Sequence, residues 1–176
     1  IAPVYYVYGN HEYAVKNLCN VEDLFSKWGI CLLNNTYTAI KKENDSIIIA
    51  GIKDPVFGYS CGLNKIQAIN NFICEVANNI NKNEFTVLLT HRPECFNIYD
   101  SFGFDLILSG HAHGGQFRFP FKKGFFAPGQ GFFPKLAGGY YKGEKAQMIV
   151  NRGAGSGKPI PRICNPYEMV FIELNK

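Results

Sequence analysis

Four histidines and one asparagine carry the chemistry open to this chain. His111 and His113 stand one residue apart in Gly110-His111-Ala112-His113-Gly114-Gly115-Gln116, just after the apolar run Leu106-Ile107-Leu108. Side chains at i and i+2 on extended backbone point the same way, so one turn offers two imidazoles to one place. His91 follows Phe85-Thr86-Val87-Leu88-Leu89-Thr90, and Asn10-His11 follow a Val/Tyr-rich run ending in Gly9. Three apolar runs, each read as a strand, thus end in an imidazole. In open α/β sheets ligands gather outside the carboxyl ends of strands, so these residues are expected to converge. Neutral nitrogens beside an amide oxygen suit zinc, manganese, iron or nickel, and suit calcium poorly. A Ser-His-Asp triad explains less, because it uses one histidine and no GxSxG stretch is present. The plain alternative, loop histidines with no task, predicts scattered positions rather than three strand ends.

The elements that must position these groups follow from periodicity. Residues 3–8 read as a strand, and 13–28 as a helix with Leu18, Val21, Leu24, Phe25 and Trp28 on one face and Gly29 as its stop. Residues 30–35 form a short strand, and "YTAIKK" and "SIIIAGI" form a hairpin about "ENDS". From 64 to 81, Ile66, Ile69, Phe72, Ile73, Val76 and Ile80 recur at helical spacing. Residues 85–90 and 105–110 are strands, an irregular glycine- and proline-rich loop is expected beyond 117, and "AQMIVN" and "EMVFIEL" supply two closing strands. No internal repeat or linker appears. The expectation is a single domain over 1–176 of α/β (α+β) type.

Composition sets bounds. A hydrophobic share of 47% with 18% charged residues is that of a globular chain. No apolar run reaches the ~18 residues that span a bilayer. Six cysteines show no CxxC pairing and predict free, mostly buried thiols in a reducing compartment, hence a cytoplasmic setting. Cys95, four residues after His91, is read as a small buried apolar residue rather than a reactive thiol. The net charge of +4 is too small to argue for nucleic acid. Residues 117–142, however, hold nine aromatics and five of the 18 Lys/Arg with no acid. That loop could lie on an anionic lipid surface through Lys122, Lys123, Phe125 and Phe126, or pack its rings on the core; stacked single-stranded nucleic acid is a weaker third reading.

The ordered set "GNHE" (9–12), "HRP" (91–93) and "GHAHGGQ" (110–116) resembles the later motifs of calcineurin-like metallophosphoesterases. Its flanks are similar to a bacterial, often membrane-associated phosphodiesterase subgroup with an SGH-x-HGGQ signature, and "RGAGSGKPIPRICNPYE" (152–168) resembles that subgroup's late segment. The resemblance implies a pair of β-sheets flanked by helices, with two divalent ions (manganese, iron or zinc) at the strand ends. It implies that Asn10, His91 and His111 bind one ion, that His113 binds the other, and that His11 protonates the leaving alkoxide or holds the phosphate. Two cations about 4 Å apart would lower the pKa of a bridging water and neutralise phosphate charge. Arg92 and Arg162 are candidates for the substrate phosphate, each with a structural ion pair as the alternative. "GAGSG" (153–157) reads as a turn, since no Lys-Ser/Thr follows it.

One departure matters. The family opens with Asp-x-His and Gly-Asp-x-x-Asp motifs, and no Asp-x-His occurs in this sequence. The chain begins at Ile1, so it is expected to be the C-terminal portion of a metallophosphoesterase domain lacking its leading strands, with an exposed sheet edge that invites self-association. It is expected to hold at most one weakly bound ion and to be nearly inactive by itself. The substrate class is a phosphodiester, lipid-like if the aromatic loop meets a membrane. A non-catalytic, protein-binding member that keeps the fold is the second functional class; it predicts eroded ligand positions.

Overall fold

The structure is a computed structural model that describes residues 2–43, 45–81, 83–119, 124–155 and 161–175. Its centre is a six-stranded mixed sheet in the order β3-β4-β5-β6-β10-β9. The strands are β3 (Thr36–Lys42), β4 (Asp45–Gly51), β5 (Phe85–Leu89), β6 (Leu106–Ser109), β9 (Gly139–Lys142) and β10 (Gln147–Val150). β4, β5, β6 and β10 run parallel, while β3 and β9 close the two edges antiparallel. β1 (Val4–Tyr6) and β2 (Ile30–Leu32) form a separate two-stranded parallel sheet, and β7 (Phe126–Ala127) pairs with β8 (Gly131–Phe132). Helices α1 (Leu18–Lys27), α2 (Val56–Tyr59), α3 (Lys65–Ala77) and α4 (Phe96–Phe102) complete the mixed α/β fold.

Strand side chains alternate with period two and sort into two cores. Ala50, Ile52, Leu88, Ile107, Met148 and Val150 face α3 and α4, where they meet Ile69, Ile73, Val76 and Tyr99. The intervening Ile49, Val87 and Leu106 face the opposite side with Leu33, and Tyr5 and Val7 pack on that smaller cluster. Burying an Ile or Leu of this kind contributes roughly 1.5–3 kcal/mol, so the helix-covered face supplies most of the apolar stabilisation. α3 starts where a capping box closes: Asn64 accepts from the Gln67 amide and Gln67 reaches back to the Asn64 amide.

Several expectations are corrected. α1 buries no residue fully: Phe25 meets Tyr6 of β1 edge-on and Leu18 and Val21 are half-buried, while Leu24 and Trp28 are exposed. Ile66 is also exposed, since it sits at the start of α3 on the side turned from the sheet. Residues 168–174 have strand-like alternation but no ladder partner among the described residues, so the second closing strand is not formed. Met169 and Phe171 there are 93% and 90% exposed, while Ile172 leans on the smaller core. The segment beyond 117 is not wholly irregular, for it contains β7, β8 and β9. α4 lacks a long apolar period and escapes a reading based on periodicity; it is anchored by fully buried Tyr99. The cysteines are free, but only Cys95 is buried; the other five are exposed, because they lie on short strands, helix backs and loops outside the two cores.

Candidate functional site

Because β4, β5, β6 and β10 are parallel, their carboxyl ends share one edge. β5 delivers His91 there and β6 delivers His111. β1 belongs to the other sheet, and its following residues reach the same place by a different route: the Tyr8 carbonyl accepts from the Asp54 amide at 2.9 Å. That bond docks Gly9-Asn10-His11 against the loop after β4. The His91 ring lies directly over Gly9, where an added Cβ would sit 2.8 Å from Cε1 of the ring. Gly9 is therefore required by close approach of the imidazole.

Asn10 and His91 meet across 81 residues of sequence, with Asn10 Oδ1 2.8 Å from His91 Nε2. The His91 and His111 rings are 4.5 Å apart between centroids, tilted by 59°. His111 is 7% exposed, and its Nε2 is buried without a hydrogen-bond partner. Burial, above all, lowers the pKa of His91 to about 4 and of His111 to about 3; each is also depressed by cationic neighbours, His111 by His91 first. Both rings are neutral at pH 7 and keep a lone pair for a ligand. His113 contributes to the depression of both rings, and exposed His11 to that of His111, so all four histidines share one electrostatic neighbourhood. Of the five groups expected to converge, Asn10, His91 and His111 are in contact in turn, Asn10 on His91 and His91 on His111.

These groups fit part of a cation's coordination shell. Ligand atoms at right angles and about 2.1 Å from one ion lie roughly 3 Å apart; the separation between Asn10 Oδ1 and His91 Nε2 is close to that. An orphaned buried imidazole nitrogen in the same pocket is otherwise costly, by about 1–3 kcal/mol. The set is two imidazoles and a carboxamide. Among the described residues, no three His, Cys, Asp or Glu side chains converge in a ligating group.

Behind the ligand candidates stands a polar network that pattern reading did not single out. Asp54 is fully buried and receives Arg92 Nε at 2.7 Å, Arg92 Nη2 at 3.1 Å and the Val56 amide at 2.9 Å. Ser109 Oγ donates to the His91 carbonyl at 3.0 Å, and the Tyr99 hydroxyl donates to the Arg92 carbonyl at 3.0 Å. Backbone and side chain of the His91-Arg92 pair are thus fixed from β6, α4 and the loop after β4. Asp54 could have been found by the rule that found the histidines, since it also follows an apolar strand at its carboxyl end. Arg92 has its guanidinium on Asp54, and Arg162 donates to the carbonyls of Arg152 and Gly155 at 2.7 and 2.6 Å. Burial pushes the Cys95 thiol up to about 11, which makes it inert. Lys122, Lys123 and part of "GAGSG" lie outside the described residues.

Comparison with known proteins bears on the family of the chain. The chain is 35% identical over 173 residues to the uncharacterized metallophosphoesterase Cj0846 of Campylobacter jejuni, a match covering 97% of this chain and 41% of that protein. It is 30% identical over 171 residues to an uncharacterized metallophosphoesterase of Aquifex aeolicus, covering 96% and 59%. The chain belongs to the metallophosphoesterase superfamily. The chain is also 26% identical over 175 residues to the phosphodiesterase YaeI of Escherichia coli, covering 98% of the chain and 58% of YaeI. It spans between two fifths and three fifths of the length of these relatives. No family model matches it, and no solved structure matches it. No helix among the described residues is long and apolar enough to cross a membrane.

Proposed function

We propose that this chain supplies the histidine-rich half of a metal-dependent phosphodiesterase centre. The observation that carries the proposal is the meeting of Asn10 Oδ1 and His91 Nε2 at 2.8 Å beside the unpartnered His111 Nε2. Asn10, His91 and His111 would hold one divalent ion, manganese, iron or zinc, and His113 would contribute to a second. When bound, such ions supply positive charge to a phosphate ester and lower the pKa of water. The chain's own residues bind and orient. Neutral imidazoles leave their lone pairs available, the buried Asp54-Arg92 pair holds the His91 loop still, and exposed His11 would give a proton to a leaving alkoxide or hold the phosphate. Arg162, near the segment that runs beside Gln116, is the better arginine for a substrate phosphate, because Asp54 occupies Arg92.

The 176 residues alone contain no Asp-x-His motif. By themselves they bind at most one ion weakly and hydrolyse little. Calorimetric titration of the metal-free chain with manganese or zinc, with ion counting, tests this. One weak site, lost in His91→Ala, is expected; two tightly held ions per chain would overturn it. Manganese-dependent cleavage of a bis-aryl phosphate by a longer protein bearing the missing motifs tests the phosphodiesterase assignment, and no cleavage there would sink it.

A lipid-like substrate or membrane surface is favoured by one feature. Phe119, Phe126, Phe132 and Phe133 are exposed, 42–65% each, around Phe125, which meets Phe117, Phe119, Phe132 and Phe133 edge-on. Rings of this kind suit the headgroup level of a bilayer. Co-sedimentation with anionic liposomes should fall in Phe132→Ser/Phe133→Ser, and unchanged binding would remove the reading. Self-association through an open sheet edge belongs to the same proposal; a clean monomer in size-exclusion chromatography removes it.

A further inference from the structure

The turn that carries His111 and His113 is an unfavourable piece of backbone. His111, His113 and Gln116 have φ of 61°, 48° and 59°, and Gly114 and Gly115 add 67° and 78°. Five of six consecutive residues thus lie in the left-handed region, three of them with a Cβ that disfavours it. Internal bonds, Gly115 amide to Ala112 carbonyl at 2.8 Å and Gln116 amide to His113 carbonyl at 3.2 Å, close the turn. Such strain persists only where the surroundings over-determine it.

The surroundings come from the far end of the chain. Asn165, 3% exposed, donates Nδ2 to the His113 carbonyl at 2.7 Å and to the Gln116 carbonyl at 3.2 Å. Its carboxamide fills the space where any side chain on Gly114 would stand. Around it, Ile163 bridges Phe117, the Arg118 amide donates to the Ile163 carbonyl at 2.9 Å, and Gln116 Nε2 donates to the Pro161 carbonyl at 3.3 Å. The segment from 161 to 165 therefore lies along the turn like a splint, with one buried amide at its centre.

We propose that Asn165 is a positioning residue that holds the 111–116 turn in the conformation aiming His111 and His113 at the cation site. The proposal rests on the reading of those histidines as ligands, and it acts through backbone carbonyls rather than through contact with any ligand. Asn165→Asp keeps the shape but turns acceptors toward two carbonyl oxygens; Asn165→Ala removes the donor altogether.

Two readouts test it. In the metal-free chain, hydrogen exchange of the Gly115, Gln116 and Phe117 amides should quicken about tenfold or more in both variants, with the α3 amides unchanged. In cobalt(II) and zinc titrations, affinity should fall about 10–100-fold with an altered cobalt ligand-field spectrum. A wild-type chain that binds neither ion removes the ligand reading while the exchange arm still judges Asn165. Unchanged exchange at the turn overturns the positioning role. So does equal acceleration throughout α3, which would make Asn165 a general structural residue, and so does unaltered ion affinity in a wild type that binds.

Discussion

Removing Asp54 should cost this fold more than removing a comparable surface carboxylate, and the structure sets the size of the effect. Its carboxylate is fully buried and accepts three hydrogen bonds, two of them from Arg92 at 2.7 and 3.1 Å. Arg92 is itself 14% exposed at the side chain, with Glu94 the next carboxylate at 3.6 Å. Asp54→Ala leaves that guanidinium short of charge compensation in a half-dry pocket. Breaking a buried pair in this way costs about 3–5 kcal/mol, which for a chain of this size lowers Tm by roughly 6–20 °C. Arg92→Met should cost a similar amount by stranding Asp54. The double variant Asp54→Ala/Arg92→Met should cost clearly less than the sum, because neither charge is then left unpaired. Urea denaturation of the four proteins measures the cycle. Single variants that lose under about 1 kcal/mol, or a double variant that is simply additive, would refute the reasoning.

Other perturbations read the site directly. His91 and His111 have native pKa values of about 4 and about 3, below the ordinary histidine value of 6.5. As pH falls below about 6.5 the unfolded chain takes up protons that the folded rings refuse, so metal-free stability is full above that pH and declines by up to ~1.4 kcal/mol per unit for each ring; a flat urea midpoint from pH 6.5 to 5 would contradict this. His111→Asn, which tolerates a positive φ and removes the orphaned nitrogen, should leave metal-free stability equal or higher while abolishing the zinc-induced rise in Tm; a retained rise would exclude His111 as a ligand. Gly9→Ala should push the His91 ring aside and weaken ion binding at least tenfold, as calorimetry would show; unchanged affinity would mean that the ring has room to move.

Much of the site was legible because strand ends are. A run of apolar residues stops where the chain leaves the sheet, so polar residues at those stops mark one edge whenever the strands are parallel. His91 and His111 obey this rule in a single sheet. Asn10 and His11 do not, since among the described residues β1 pairs only with β2, and they arrive because the Asp54 amide holds the Tyr8 carbonyl. The alternation in residues 168–174 reads as a strand, but a ladder needs a neighbour, and none stands there among the described residues. Asn165 gave no signal at all: its task depends on two carbonyls about 50 residues upstream.

What the amino-acid order decides here is local: which residues alternate, where each strand stops, and which side chains wait at the stop. Those preferences act over a few residues and survive in any context. Convergence is a different matter. That Asn10 lies 2.8 Å from His91, that Arg92 is spent on Asp54, and that Asn165 splints the turn of His111 and His113 are results of packing between segments far apart in sequence. Buried polar groups find their partners in three dimensions, and only the folded chain states who those partners are.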